Sequence, residues 1–303
     1  MSAPAAPRLF DRALLRQRLA RACAAGRRGE VRADFLLARA AADLAERLDA
    51  ILRDFERALD LGTPGNHFAR CIAARPRIPL VVRAGERQSG AARDIAADEE
   101  ALPFADASFD LIVSGLALHS VNDLPGALTQ IRRALRPDGL FLAAMLGGRT
   151  LHELRSAFAQ AESDITGGAS PRVAPFADVR DLGGLLQRAG FALPVTDLDS
   201  VIVRYADMFA LMRDLRAMGA TNCLTERSRK PLARAVLLRA AEVYAARFAD
   251  ADGRVRATFD IIWLAGWAPH ASQQKPLKPG SARARLADAL GAAEILAGEK
   301  AER

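Results

Sequence analysis

The sequence predicts a doubly wound α/β fold, and three observations carry that prediction. Between about residues 58 and 148, short and continuously apolar segments alternate with helix-periodic ones, the pattern of parallel β-α-β units covered on both faces. The first apolar segment runs into a glycine-bearing turn, Asp60-Leu61-Gly62-Thr63-Pro64-Gly65-Asn66, that opens a helix. Two more strands come late, separated by a pair of helices, which suits an antiparallel edge with a small helical cap above it.

Taken in order, Phe10, Leu14, Leu15, Leu19 and Ala22 fall on one helical face, as in a first helix docked on the body. This Arg-rich, acid-poor start is similar in composition to an organelle transit peptide, but docking explains the same residues. Phe35, Leu36, Ala40, Leu44, Leu48 and Ile51 give a second buried stripe from about Ala33 to Leu52. Strands are predicted at 58–62, 78–85, 92–98, 109–118 and 140–146, with helices from Asn66, from Leu124 to Leu135, and from Arg149. Arg136-Pro137-Asp138-Gly139 reads as a turn. The Gly-, Ser- and Pro-rich segment 164–176 is a long loop of the kind that covers a site. A helix at 178–189, a strand at 197–204, helices at 206–218 and 230–248, and a strand at 257–264 complete the pattern. The expected organisation is N-terminal helices over 1–54, a core of 55–204 with 250–270, a helical insertion at 205–249, and a tail over 271–303.

With 303 residues, half of them apolar and about a quarter charged, the chain buries a sizeable core, which excludes wholesale disorder, collagen-like repeats and coiled coil. No apolar run approaches the ~18 residues that span a bilayer. Forty-three basic against 36 acidic residues leave a formal charge of +7, suited to acidic partners or an anionic membrane surface. Aromatics are only 6% of the chain and no basic run is interleaved with them, so nucleic-acid binding has no support. Cys23, Cys71 and Cys223 are odd in number and widely spaced, as expected of free thiols in a reducing compartment.

In an open parallel sheet ligands bind beyond the carboxyl ends of the strands, so four strand ends are the candidate site. The first is the Asp60–Asn66 turn, where Gly62 and Gly65 permit close backbone approach to a nucleotide. The second carries Gly85-Glu86, with Glu86 at the spacing of a ribose-binding carboxylate. The third carries Asp98-Glu99-Glu100, where Asp98 or Glu99 accepts from an exocyclic amine. The fourth is Leu118-His119-Ser120-Val121-Asn122-Asp123, with Asp123 as a helix N-cap.

These residues resemble the class I S-adenosylmethionine-dependent methyltransferases. The segments 98–155, 167–191, 214–223 and 257–273, with the opening FDRALLRQRLARA, are similar to the mitochondrial complex I assembly factor five family and its proteobacterial relatives. The resemblance implies a seven-stranded Rossmann-like sheet, S-adenosyl-L-methionine as cofactor, and a role in building respiratory complex I. It also implies hydroxylation of an arginine on an iron-sulfur subunit in place of methyl transfer. By the same resemblance Asp60 sits near the methionine ammonium, Gly62 and Gly65 line the adenosine, Asp98 faces adenine and Ser114 borders the methionine. The implied place is a bacterial cytoplasm with peripheral contact at the inner membrane, or the matrix of a mitochondrion. Oligomeric state is left open.

Five positions depart from the family's pattern. Pro64 and Asn66 stand where methyltransferases carry the second and third loop glycines, Gly85 where an acid is usual, Ser120 where relatives carry Trp, and Arg149 where they carry an acid. Two rival readings stand beside the first: a methyltransferase on a small acid or carrier-protein thioester, of the biotin-pathway kind, which shares the FDR opening and the LPF and PDG elements, and a non-catalytic assembly chaperone with a degenerate cofactor loop, which the Pro64, Asn66 and Gly85 changes favour. His119 reads as a packed histidine before a general base, His67 and His152 as partly exposed surface, and His270 with Trp263 and Trp267 as lining for the cap or simple packing. No metal site and no catalytic residue is assigned.

Overall fold

The computed structural model describes residues 8–28, 33–85, 94–274 and 291. Glu86 and nearly all of the tail beyond residue 274 therefore lie outside the described residues. The chain divides into two compact units, Met1–Pro269 and His270–Arg303. In the second, a short turn brings His270 Nδ1 to 2.7 Å from Ser272 Oγ.

The first unit opens with α1 (Arg12–Arg27) and α2 (Phe35–Asp49). Leu36, Ala40, Leu44 and Leu48 are buried at successive i, i+4 positions of α2. Each fully buried leucine of such a stripe contributes about 1.5–3 kcal/mol of transfer free energy. Next come β1 (Arg57–Leu61), α3 (His67–Ala73), β2 (Leu80–Gly85), β3 (Asp94–Ala96) and β4 (Phe109–Gly115), then a single 3-10 turn at Leu118–Ser120. They are followed by α4 (Leu124–Ala134), β5 (Leu135–Gly147), α5 (His152–Thr166) and α6 (Val179–Arg188). β6 (Ala192–Tyr205), α7 (Met208–Met218), α8 (Arg234–Phe248) and β7 (Val255–Trp267) complete the unit.

The seven strands form one sheet in the order β3-β2-β1-β4-β5-β7-β6, the doubly wound architecture the sequence predicts. β3, β2, β1, β4 and β5 pair in parallel, whereas β7 runs antiparallel to both β5 and β6. The strand order reverses between β1 and β4, and the crevice beyond their carboxyl ends is where such a sheet binds ligands.

Two expectations need correction, the turn at 136–139 and the end of β4, whereas the two late strands form the antiparallel edge as expected, with β7 on its inner side and β6 outermost. Side-chain patterning explains this, because β7 is buried along nearly its whole length while β6 alternates between half-buried and exposed positions. The 136–139 turn is a bulge inside β5, where pairing jumps from Phe109–Leu135 to Leu111–Leu140 and Asp138 adopts φ +64°. β4 stops at Gly115, three residues early, because the chain turns at Leu116 (φ +48°) into the 3-10 turn that carries His119. Trp263 stacks on Phe68 at 6.4 Å with the Arg47 guanidinium 4.6 Å from its ring, so it packs beneath α2 and α3 and does not line the cap. Among the described residues no helix is long and apolar enough to cross a membrane.

Candidate cofactor and acceptor site

A cavity of about 710 Å³ opens over the ends of β1, β2 and β4 and continues beneath α1, α5 and α7. Its floor at one end is the β1–α3 loop. Of residues 62–66 only Gly62 (φ +71°) and Gly65 (φ +84°) adopt left-handed backbone. The two loop glycines thus stand where the bend requires them, and Pro64 and Asn66 occupy positions that need no glycine. Asn66, at φ −129°, precedes the first residue of α3.

Asp60 is buried beneath this loop. One carboxylate oxygen accepts from the Thr63 hydroxyl and the other from Ala69 N at 3.1 Å. Thr63 Oγ1 in turn accepts from Gly115 N at 2.8 Å, so the pair ties the loop to the end of β4. Burial raises the Asp60 pKa to about 7, against the lowering pull of the Thr63 bond, of Arg83 and of the Ala69 N–H. The carboxylate expected near a methionine ammonium is therefore committed to shaping the loop, although it still reaches the cavity wall. Arg83 lies across the end of β2, donating to the Gly65 carbonyl and pairing with Asp94 at 3.3 Å.

The acidic run divides its work. Glu99 is 7% exposed and lies on the cavity wall, where a Cβ placed on Gly62 would run into its Oε1 and sit 3.1 Å from Ala117 Cβ. Its Oε2 is held by Arg12 of α1. Asp98 turns the other way: it accepts from Glu100 N at 2.9 Å and pairs with Arg12 at 3.0 Å and Arg16 at 3.7 Å. Of the two residues, then, Glu99 faces the cavity and Asp98 faces the N-terminal helix. Ser114 is fully buried with its hydroxyl unpartnered; Leu116 and Ala117 form the wall instead. Gly85 leaves open space, since a Cβ there would meet only Gly62 Cα at 3.8 Å.

His119 lines the cavity with its Nδ1 buried and unpartnered, and burial lowers its pKa to about 4, so the ring is neutral near pH 7. Ser120 lies on the same wall, whereas Arg149 does not; Arg149 N donates to Asp260 at 2.7 Å. His67 pairs with Asp34 at 3.2 Å and His152 with Glu153 at 3.3 Å. Among the described residues no group of three or more His, Cys, Asp and Glu side chains is arranged to hold a metal ion.

The other end of the cavity is aliphatic. Leu151, Leu154 and Phe158 come from the start and face of α5, Met212, Leu215 and Met218 from α7 and its end. The loop from 167 to 178 supplies a wall through Arg172, Val173, Ala174 and Phe176, and Glu162 anchors it. That carboxylate is 5% exposed and accepts from Ser170 N at 2.6 Å, Ser170 Oγ at 2.9 Å and Arg172 Nε at 2.8 Å.

α1 and the Phe10 that precedes it roof the crevice, with Leu15, Leu19 and Ala22 of the predicted stripe on the cavity and Leu14 off it. Sequence reasoning assigned no role to Arg12, Thr63 or Arg83. Each acts through a residue distant in sequence or through a turn hydroxyl, and the FDR opening that contains Arg12 carries no spacing that would match it to residues 98–100.

The hollow beside Gly85 suits a nucleoside: a Cβ there would meet only Gly62 Cα at 3.8 Å, and Glu99 sets its carboxylate against Gly62 on the same cavity wall. Residues 59–143 match the methyltransferase-domain family. The mitochondrial arginine-hydroxylase NDUFAF5 of Danio rerio is 41% identical over 263 residues, covering 84% of this chain and 82% of that protein. The malonyl-[acyl-carrier protein] O-methyltransferase of Halorhodospira halophila is 35% identical over 261 residues, 82% of this chain and 86% of that one. The solved structure of the YcgJ protein from Bacillus subtilis superposes with a TM-score of 0.52 at 15% identity, over 77% of this chain and 99% of that one, a likeness of fold.

Proposed function

Because this chain belongs to the NDUFAF5 arginine-hydroxylase family of class I methyltransferase folds, we propose that it binds S-adenosylmethionine and hydroxylates an arginine side chain of a protein partner. The observation that carries this reading is the identity to those hydroxylases over most of both chains. The partner is an iron-sulfur subunit of respiratory complex I, met in the cytoplasm beside the inner membrane, where a formal charge of +7 favours an anionic surface.

The backbone of Gly62–Gly65 and the Glu99 carboxylate would hold the adenosyl group, the carboxylate as a hydrogen-bond acceptor. Bound there, the cofactor would supply an electrophilic sulfonium methyl, which serves methyl transfer; hydroxylation instead inserts an oxygen atom and would draw it from dioxygen, with two electrons from an external reductant reducing the second oxygen to water. The aliphatic end sheathes the three methylenes of an arginine stem and excludes water from it. His119, neutral near pH 7, adds no positive charge beside the incoming guanidinium. Arg172, the cation of the loop wall, is already paired with Glu162.

Calorimetric titration with S-adenosylmethionine and S-adenosylhomocysteine is the first test, and micromolar binding is expected; no heat at millimolar ligand would leave only the chaperone reading. Mass spectrometry of the iron-sulfur subunit from a deletion strain is the second. Loss of one oxygen atom from an arginine-containing peptide supports hydroxylation. An unchanged subunit together with a biotin requirement would transfer the reading to carrier-protein methylation, the activity for which the malonyl relatives are named.

A further inference from the structure

We propose that Arg12 is a positioning residue for cofactor binding: it grips one oxygen of Glu99 from the N-terminal helix so that the other stays set beside Gly62 on the cavity wall. The inference rests on the reading that this part of the cavity takes an adenosyl group.

The two oxygens of Glu99 have different neighbours. Oε2 is bonded to the Arg12 guanidinium, and Oε1 is the atom nearest to where a Gly62 Cβ would stand. A glutamate side chain has three rotatable bonds, so an unheld carboxylate at the rim of a cavity samples several directions. A charge-assisted bond to a fixed guanidinium removes that freedom before ligand arrives.

Arg12 is itself fixed. Asp11 caps α1 by accepting from Leu14 N at 3.0 Å and pairs with Arg227 at 3.1 Å. Asn122 holds the backbone of Phe10 from both sides, accepting from its N–H at 2.8 Å and donating to its carbonyl at 3.2 Å. Asp11 N also donates to the Cys223 carbonyl at 2.8 Å. The guanidinium then meets three successive carboxylates, Asp98 at 3.0 Å, Glu99, and Glu100 at 3.1 Å. It is side-chain-buried to about a tenth of its free exposure, which shields these pairs from solvent. Asp98 and Glu100 neutralise the cation in excess, so Glu99 keeps acceptor strength for a ligand N–H or O–H.

The test is calorimetric affinity for S-adenosylhomocysteine in the full chain, across wild type, Arg12→Met, Arg12→Lys, Glu99→Gln and the double variant Arg12→Met/Glu99→Gln, with ligand-free melting of each. Expected are a loss of about tenfold or more for Arg12→Met, partial recovery in Arg12→Lys, and a double variant no weaker than the worse single one. Multiplying effects in the double variant would overturn the proposal, as would Arg12→Met affinity within twofold of wild type. If Arg12→Met does not fold, the same cycle run with Arg12→Gln, which also removes the charge, decides by the same criterion. A wild-type chain that binds no S-adenosylhomocysteine removes the cofactor reading and this proposal together; normal wild-type binding with an indifferent Arg12 removes only the proposal.

Discussion

The two ends of the cavity are built on opposite plans. At the end proposed to hold the cofactor the wall is backbone and carboxylates, and the carboxylates are already partnered: Asp60 by Thr63 and Ala69, Asp94 by Arg83, Glu99 by Arg12. At the acceptor end the wall is aliphatic side chain from α5, α7 and one pinned loop. Recognition by directed hydrogen bonds fails when an atom moves by an ångström, whereas an apolar pocket exchanges volume for affinity gradually. The cofactor end should therefore be brittle and the acceptor end tolerant.

Gly62→Val is the sharpest test of that contrast. At φ +71° any Cβ is strained by roughly 1–2 kcal/mol, and this one also collides with the Glu99 carboxylate. S-adenosylhomocysteine affinity should fall by more than about a hundredfold in calorimetry while far-UV circular dichroism stays native. A loss under tenfold would mean that the loop is as forgiving as the acceptor wall.

Glu162→Ala strikes the other end. It strands Ser170 and Arg172 and should cost about 3 kcal/mol in denaturant unfolding, the scale for breaking a buried charged pair. Burial opposes the Glu162 charge, but Ser170 and Arg172 prevail and hold its pKa below the usual glutamate value. Its contribution is accordingly present above the unfolded-state pKa and lost as pH falls through the lowered folded value. Cofactor affinity should stay within about threefold of wild type; a larger change would show that the two ends are mechanically coupled.

Asp60→Asn separates shaping from binding at the brittle end. The folded pKa, about 7, lies above the ordinary value, so the neutral acid is the stabilised form. The stability linked to that proton is fully present below about pH 4 and lost as pH rises through 7. Wild type should therefore lose roughly 2 kcal/mol between pH 5 and 8 relative to Asp60→Asn, which carries no titrating group there. Parallel stability profiles for the two proteins would show that Asp60 titrates as an ordinary surface acid.

The same contrast explains what could be read from the sequence. Strand ends of a parallel sheet announce themselves by contiguous residues, so the Asp60–Asn66 turn, Gly85 and the 98–100 acids are legible in the sequence as parts of one crevice. Side-chain direction was not legible: whether Asp98 or Glu99 enters the cavity depends on a guanidinium 86 or more residues away in α1. Nor did periodicity place β7 inside β6, a choice made by which of two late strands is apolar on both faces. The acceptor end is assembled from α5, a loop and α7, whose leucines read equally well as ordinary core.

Pro64→Gly, the smallest effect expected, restores a glycine that the family's loop carries and tests whether the departure matters. The bend is already made by Gly62 and Gly65, so a third glycine relieves no strain. It widens the unfolded ensemble and should cost about 0.4–1 kcal/mol of stability. A residue without an N–H gives way to one with a donor, so affinity for S-adenosylhomocysteine should rise less than threefold unless that amide points at the ligand. A gain of tenfold or more would mean that Pro64 withholds a bond the cofactor needs, and that the brittleness of this end comes from a missing donor and not from the rigidity of the Gly62 turn.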